Sequence, residues 1–284
     1  MPSAPSNHLG FAIIGAMKCG TTSLFEFLAA HPDVCAPRNK EPHYFTRGYK
    51  MPAAYYRHLF KHRRDGQLCG EASPTYSWVQ RFPETPARLA HDAPDVRLVF
   101  LIRDPLDRVL SQLRHRDLVG TPDRDLVAAV RNAELWERSS YATTLTSYLE
   151  HFDQNRIHVA DLDDLSDPNQ LAAVLAHLGL DAGPLEPLSL PEANASADRQ
   201  AVPGALGRIA STPIGSVVRD LVPRDVLGRL KRPVRRSTLP PVHPDQTKTQ
   251  LVLNKDDLRA HAPDECASVQ AQYETVRRDF LGKD

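Results

Sequence analysis

The stretch Gly15-Ala16-Met17-Lys18-Cys19-Gly20-Thr21-Thr22 carries two glycines, a lysine between them and paired hydroxyls after them. A glycine-bearing turn that leaves an apolar run and enters a helical pattern makes a cradle for phosphate. Main-chain N–H groups at residues 18–22 and the positive end of the helix dipole then face an anion, with the Thr21 and Thr22 hydroxyls as further donors. The pattern departs from the nucleotide-hydrolysing loop G-x-x-x-x-G-K-[ST]. Thr21 stands where that loop has its lysine, and Lys18 lies three residues upstream. No aspartate clearly ends a strand to hold a magnesium ion, and together these features disfavour ATP or GTP hydrolysis. The plainer alternative is a tight strand-to-helix turn with a solvated lysine.

Three other groups of residues are candidates for the same site. Arg103 directly follows the apolar run RLVFLI and precedes Ser111 along the next helix. A guanidinium at the carboxyl edge of a strand suits phosphate, because its planar fork donates in pairs; a surface pair with Asp104 or Asp107 is the alternative. NKEPHYF (39–45) offers Glu41 and His43 as proton-accepting groups, or Glu41 as a mere surface partner of Lys40 or Arg38. GEASPTYS (70–77) offers Glu71, Ser73 and Tyr76 at the end of another strand.

The elements that must position these residues alternate between strand and helix patterns. FAIIG (11–15), QLCGE (67–71), RLVFLI (97–102) and RIHVADLDDL (156–165) read as strands. TTSLFEFLAAH (21–31), DPLDRVLSQLRHRDL (104–118), SSYATTLTSYLEHF (139–152), DPNQLAAVLAHLGL (167–180) and DECASVQAQYETVRRDFLG (264–282) read as helices, with Arg108 on a solvent-facing surface. This predicts an α/β fold: a P-loop-type, doubly wound parallel sheet flanked by helices, in a single domain over 8–284. Prolines multiply over 184–241, which is expected to be irregular cover within that domain.

Composition narrows the function classes. The 284 residues carry 35 Lys+Arg against 35 Asp+Glu, a formal net charge of +0, which argues against nucleic acid or an anionic membrane as partner. The start MPSAPSNHLG has neither a basic n-region nor an apolar h-region, and no apolar run approaches the ~18 residues of a membrane helix. Four dispersed cysteines, Cys19, Cys35, Cys69 and Cys266, fit a reducing cytoplasm.

FAIIGAMKCGTTSLFEFLAAHPDV, KEPHYF, GEASPTY and LVFLIRDPLDRVLSQ, in this order, resemble the sulfotransferases that use 3′-phosphoadenosine 5′-phosphosulfate (PAPS), in a bacterial branch similar to the animal heparan sulfotransferases. The resemblance covers roughly residues 10–180. It implies that the loop with Lys18, Cys19, Gly20, Thr21, Thr22 and Ser23 binds the 5′-phosphosulfate, and that Arg103 and Ser111 bind the 3′-phosphate. It implies Glu41 as general base with His43 as helper, Lys18 at the oxygen that bridges phosphate and sulfate, and no metal. Glu71, Ser73 and Tyr76 are expected at the acceptor, and Tyr141, Arg235 and Arg236 at the cofactor, the two arginines from the basic run RLKRPVRRS (229–237). The animal enzymes carry a lysine after the glutamate of the third motif; this chain has Ala72, which argues against a heparan-like substrate. The expected reaction is transfer of a sulfuryl group from PAPS to a hydroxyl of a small-molecule or carbohydrate acceptor, releasing 3′,5′-ADP. HYFTRGYKMPAAYYRHLFKH (43–62) is expected to line the acceptor pocket. The competing readings are a P-loop small-molecule kinase and a nucleotide-binding protein without chemistry.

Overall fold

The computed structural model describes residues 9–118, 129–191 and 254–283. Its centre is a five-stranded parallel sheet: β1 (Leu9–Gly15), β2 (Val34–Cys35), β3 (Leu68–Ala72), β4 (Arg97–Ile102) and β5 (Ile157–Asp161), in spatial order β2-β3-β1-β4-β5. Parallel strands covered on both faces need apolar side chains on both faces. β1 and β4 meet this with Phe11, Ile13, Ile14, Leu98, Val99, Phe100 and Leu101, all fully buried.

The crossovers are helical. α1 (Thr21–Ala29) presents Leu24, Phe27 and Leu28 to the core at helical spacing. α2 (Ala53–His58), α3 (Thr85–Asp92), α4 (Pro105–Leu118), α5 (Ala133–Glu137), α6 (Tyr141–Leu149), α7 (Pro168–Leu178), α8 (Lys255–His261) and α9 (Pro263–Leu281) complete the described helices.

The chain leaves β1 toward β2 and leaves β4 toward β5, in opposite directions across the sheet. Between the carboxyl ends of β1 and β4 lies the switch point where open α/β sheets bind ligands. Lys18 follows β1 and Arg103 follows β4, so the topology alone puts both at that edge.

The expected elements are present, with adjusted ends. The predicted strand 156–165 stops at Asp161 and continues as a 3₁₀ turn over Leu162–Ser166, because the Asp161 side chain accepts from Asp163 N and turns the chain. The helix expected over 139–152 is confined to Tyr141–Leu149. β2 has only two residues, and the short helices α2, α3 and α5 carry too few turns to show a period. All described residues except Asn254 belong to one contact unit. Most of the stretch 184–241, with Arg235 and Arg236, lies outside the described residues.

Candidate active site

The anion cradle is built by backbone geometry. Gly20 enters α1 at φ 81°, a left-handed conformation that costs glycine little. Lys18 at φ 70° and His43 at φ 53° are the non-glycine residues with positive φ among those described. Such strain gathers where a site demands it, and both residues belong to the predicted catalytic set. No side chain caps α1. The first-turn N–H groups of a helix have no acceptor within the helix, so Thr21, Thr22 and Ser23 present a donor-rich end.

Cys19, expected in the phosphosulfate loop, turns its side chain inward. Its side chain is fully buried, its Sγ lies 3.6 Å from the Tyr141 hydroxyl, and its N–H donates to Ala16 O. Burial, partly offset by Tyr141 and the neighbouring arginines, pushes its thiol up to about 11, so it stays protonated and packs. The Tyr141 side chain, expected at the cofactor, is buried. Its hydroxyl donates to Arg103 O at 2.9 Å and joins the β1 loop to the β4 loop.

Arg103 is not spent on its acidic neighbours. Lys255 takes them instead, with Nζ 3.1 Å from Asp104 Oδ1 and 3.0 Å from Asp107 Oδ2, while Asp104 also accepts from Asp107 N. Arg103 Nε is buried without a hydrogen-bond partner among the described residues. A buried guanidinium donor in that state is costly until an acceptor arrives. Ser111 is half-buried on α4, the helix that follows Arg103, about two turns further along the chain.

The base loop lies between β2 and α2. Glu41 Oε1 accepts from Lys40 Nζ at 2.9 Å, and Oε2 lies 3.4 Å from His43 Nε2. The other ring nitrogen, His43 Nδ1, is 2.8 Å from Thr75 Oγ1, which holds the imidazole against the carboxylate. Burial pushes the Glu41 carboxyl up, but the His43 hydrogen bond and the Lys40 charge together outweigh it and hold the carboxyl down at about 2. Glu41 is therefore ionised at neutral pH.

Glu71, Ser73 and Tyr76 were expected at the acceptor, but all three side chains are fully buried. Glu71 accepts from Ser73 Oγ at 2.5 Å and from the Tyr56 and Tyr76 hydroxyls at 2.7 Å each. Burial raises its carboxyl, against the pull of these three donors. Ser73 Oγ in turn accepts from His43 N at 3.0 Å, and Tyr76 OH from Phe45 N at 3.3 Å. The cluster positions the His43 loop from behind.

Sequence reasoning missed two cations. Arg108, expected at the surface, is fully buried: it donates to Gln112 Oε1 at 2.6 Å, to Ser139 Oγ and to Leu135 O. Arg138 stacks 3.9 Å over the Trp78 ring and reaches Met17 Sδ in the β1 loop at 3.2 Å. A long cation in a helical pattern reads as solvated, and Arg108, directly after Asp107, carries no local cue to its burial.

Orphan donors therefore stand at the uncapped end of α1, after β1, and at Arg103 Nε, after the adjacent β4, and an ionised carboxylate is tied through Lys40 to Thr22 in the first turn of α1. The sulfotransferase domain family matches residues 10–176. Over 181 residues, 59% of this chain, the sequence is 37% identical to human heparan sulfate glucosamine 3-O-sulfotransferase 3B1, covering 45% of that protein. It is 36% identical over 105 residues, 36% of this chain and 22% of the relative, to the membrane-associated sulfotransferase kil1 of Dictyostelium discoideum. The chain thus spans less than half the length of these curated relatives. A solved sulfotransferase from Alicyclobacillus acidocaldarius shares the fold at TM-score 0.56 and 22% identity, over 74% of this chain and 96% of that one. With its matched residues running from β1 into α7, more than half of the chain, this chain belongs to the sulfotransferase domain family.

Proposed function

We propose that the protein transfers a sulfuryl group from PAPS to a hydroxyl of a small-molecule or carbohydrate acceptor. The observation that carries this reading is Glu41. An ionised carboxylate, steered by His43, stands one hydrogen-bonded lysine away from Thr22 in the first turn of α1. A proton acceptor beside an anion cradle suits attack by a hydroxyl on a bound anionic donor.

The donor-binding set supported by the geometry is the α1 end (Gly20, Thr21, Thr22, Ser23) with Lys18 for the phosphosulfate, and Arg103 with Ser111 for the 3′-phosphate. PAPS supplies a sulfuryl group: the bond from sulfur to the bridging oxygen breaks as the bond to the acceptor oxygen forms, its electron pair staying on the bridging oxygen. Glu41 takes the acceptor proton, His43 keeps the carboxylate aimed, and Lys18 with the α1 N–H groups stabilises charge on the departing oxygen.

The human relative is named for a heparan sulfate acceptor. Here Ala72, fully buried on β3, offers no cation at the position after Glu71. We therefore favour a less anionic acceptor. The test is mass spectrometry of a metabolite extract incubated with enzyme and PAPS. A sulfate-sized mass gain on an acceptor, absent with Lys18→Ala, is expected; a phosphate-sized gain with ATP and none with PAPS would point to the kinase instead.

A further inference from the structure

Lys40 has no role in the chemistry above, yet it sits at the junction of its parts. Its carbonyl accepts from Ala72 N at 3.1 Å, which fastens the base loop to the carboxyl end of β3. Its ammonium donates to Thr22 Oγ1 at 3.1 Å and to Glu41 Oε1 at 2.9 Å. One cation thus spans the distance from the first turn of α1, where an anion binds, to the carboxylate that takes the proton. With its side chain only 18% exposed, that charge is screened less than in a surface pair.

This arrangement sets a chemical problem. A general base works best when its pKa lies near the working pH. Glu41, gripped by His43 and Lys40, is ionised but weakly basic. An anionic group held at the end of α1 next to Thr22 lies within reach of the same ammonium and competes with Glu41 for it.

We propose that Lys40 is a further catalytic residue of sulfuryl transfer: it contacts the non-bridging oxygens of the sulfuryl group of the bound donor, and in turning to them it releases Glu41 to act as base. This rests on the sulfotransferase reading. The cation serves twice, neutralising charge on the transferred group and strengthening the base only once a donor is in place. No proton or electron is gained or lost by Lys40. The acceptor proton still passes to Glu41, and the leaving electron pair to the bridging oxygen beside Lys18.

The test compares two ligands that differ by the sulfuryl group, 3′,5′-ADP and PAPS, on the wild type, Lys40→Gln and Lys40→Met. Binding is measured by calorimetry and turnover is measured separately. Glutamine keeps a donor toward Thr22 and Glu41 without the charge, and 3′,5′-ADP binding reports that either variant is folded. Both variants are expected to bind 3′,5′-ADP within about twofold of wild type, to bind PAPS roughly tenfold more weakly, and to turn over about 10²-fold more slowly. If PAPS and 3′,5′-ADP affinities change by the same factor, or neither changes and turnover survives, Lys40 makes no contact with the sulfuryl group and the proposal falls. If the wild type itself does not bind 3′,5′-ADP, the sulfotransferase reading falls first, and this proposal with it.

Discussion

The Tyr141 hydroxyl donates to the main-chain carbonyl of Arg103 at 2.9 Å while lying 3.6 Å from Cys19 Sγ. One buried phenol thereby sets the spacing between the loop after β1 and the loop after β4, the two anion anchors. Tyr141→Phe deletes that bond and keeps the ring. Losing a neutral hydrogen bond typically costs about 0.5–1.5 kcal/mol, so 3′,5′-ADP should bind roughly 2- to 10-fold more weakly by calorimetry. Unchanged affinity would mean that the two loops hold their spacing without it.

Arg108 makes an opposite demand. Its guanidinium is buried among neutral acceptors, and burial pulls it below its usual range. Arg108→Ala leaves Gln112 Oε1, Ser139 Oγ and Leu135 O without their donor, at a cost of at least about 2 kcal/mol. Urea denaturation should show this as a lower midpoint. A surface arginine would change stability by no more than about 0.5 kcal/mol.

Much of this was legible in the chain. β1 and β4 are continuous apolar runs, and α4 opens with a proline in its first turn after Asp104, so the sheet and the strand ends that carry Lys18 and Arg103 could be read directly. The candidate ligands at strand ends followed from the same pattern. What the sequence hid was direction. Glu71, Ser73 and Tyr76 lie next to the site in the chain, yet strand alternation and the 3₁₀ turn over Pro74–Ser77 point their oxygens at one another. Tyr141 looks inward, and nothing in SSYATTL marks that direction. Lys40 read as a flanking charge, because its tie to Thr22 crosses from one loop to another helix.

Glu41→Gln keeps the shape of the base and removes its proton affinity. Nucleotide affinity should survive, while turnover on an alkyl hydroxyl falls by about 10²-fold or more. A carboxylate base needs its ionised form, so the wild-type rate must fall as pH drops through the Glu41 pKa. His43 and Lys40 hold that pKa at about 2 in the ligand-free protein, and the proposed turn of Lys40 to the donor is expected to raise it. The pH–rate profile of Glu41→Gln should lack this acidic limb. If the limb stays in the variant, another group, such as His43, is the base.

The central claim is that the crevice between β1 and β4 holds a nucleotide with a phosphate at each end, one on α1 and one on Arg103. Calorimetric titration of the wild type with 3′,5′-ADP and with 5′-AMP, both without magnesium, addresses it directly. A charge-assisted contact from Arg103 to the 3′-phosphate is worth about 1.5–3 kcal/mol, so 3′,5′-ADP should bind roughly 10- to 100-fold more tightly, and Arg103→Ala should erase most of the difference. Equal affinity for the two nucleotides would contradict the account.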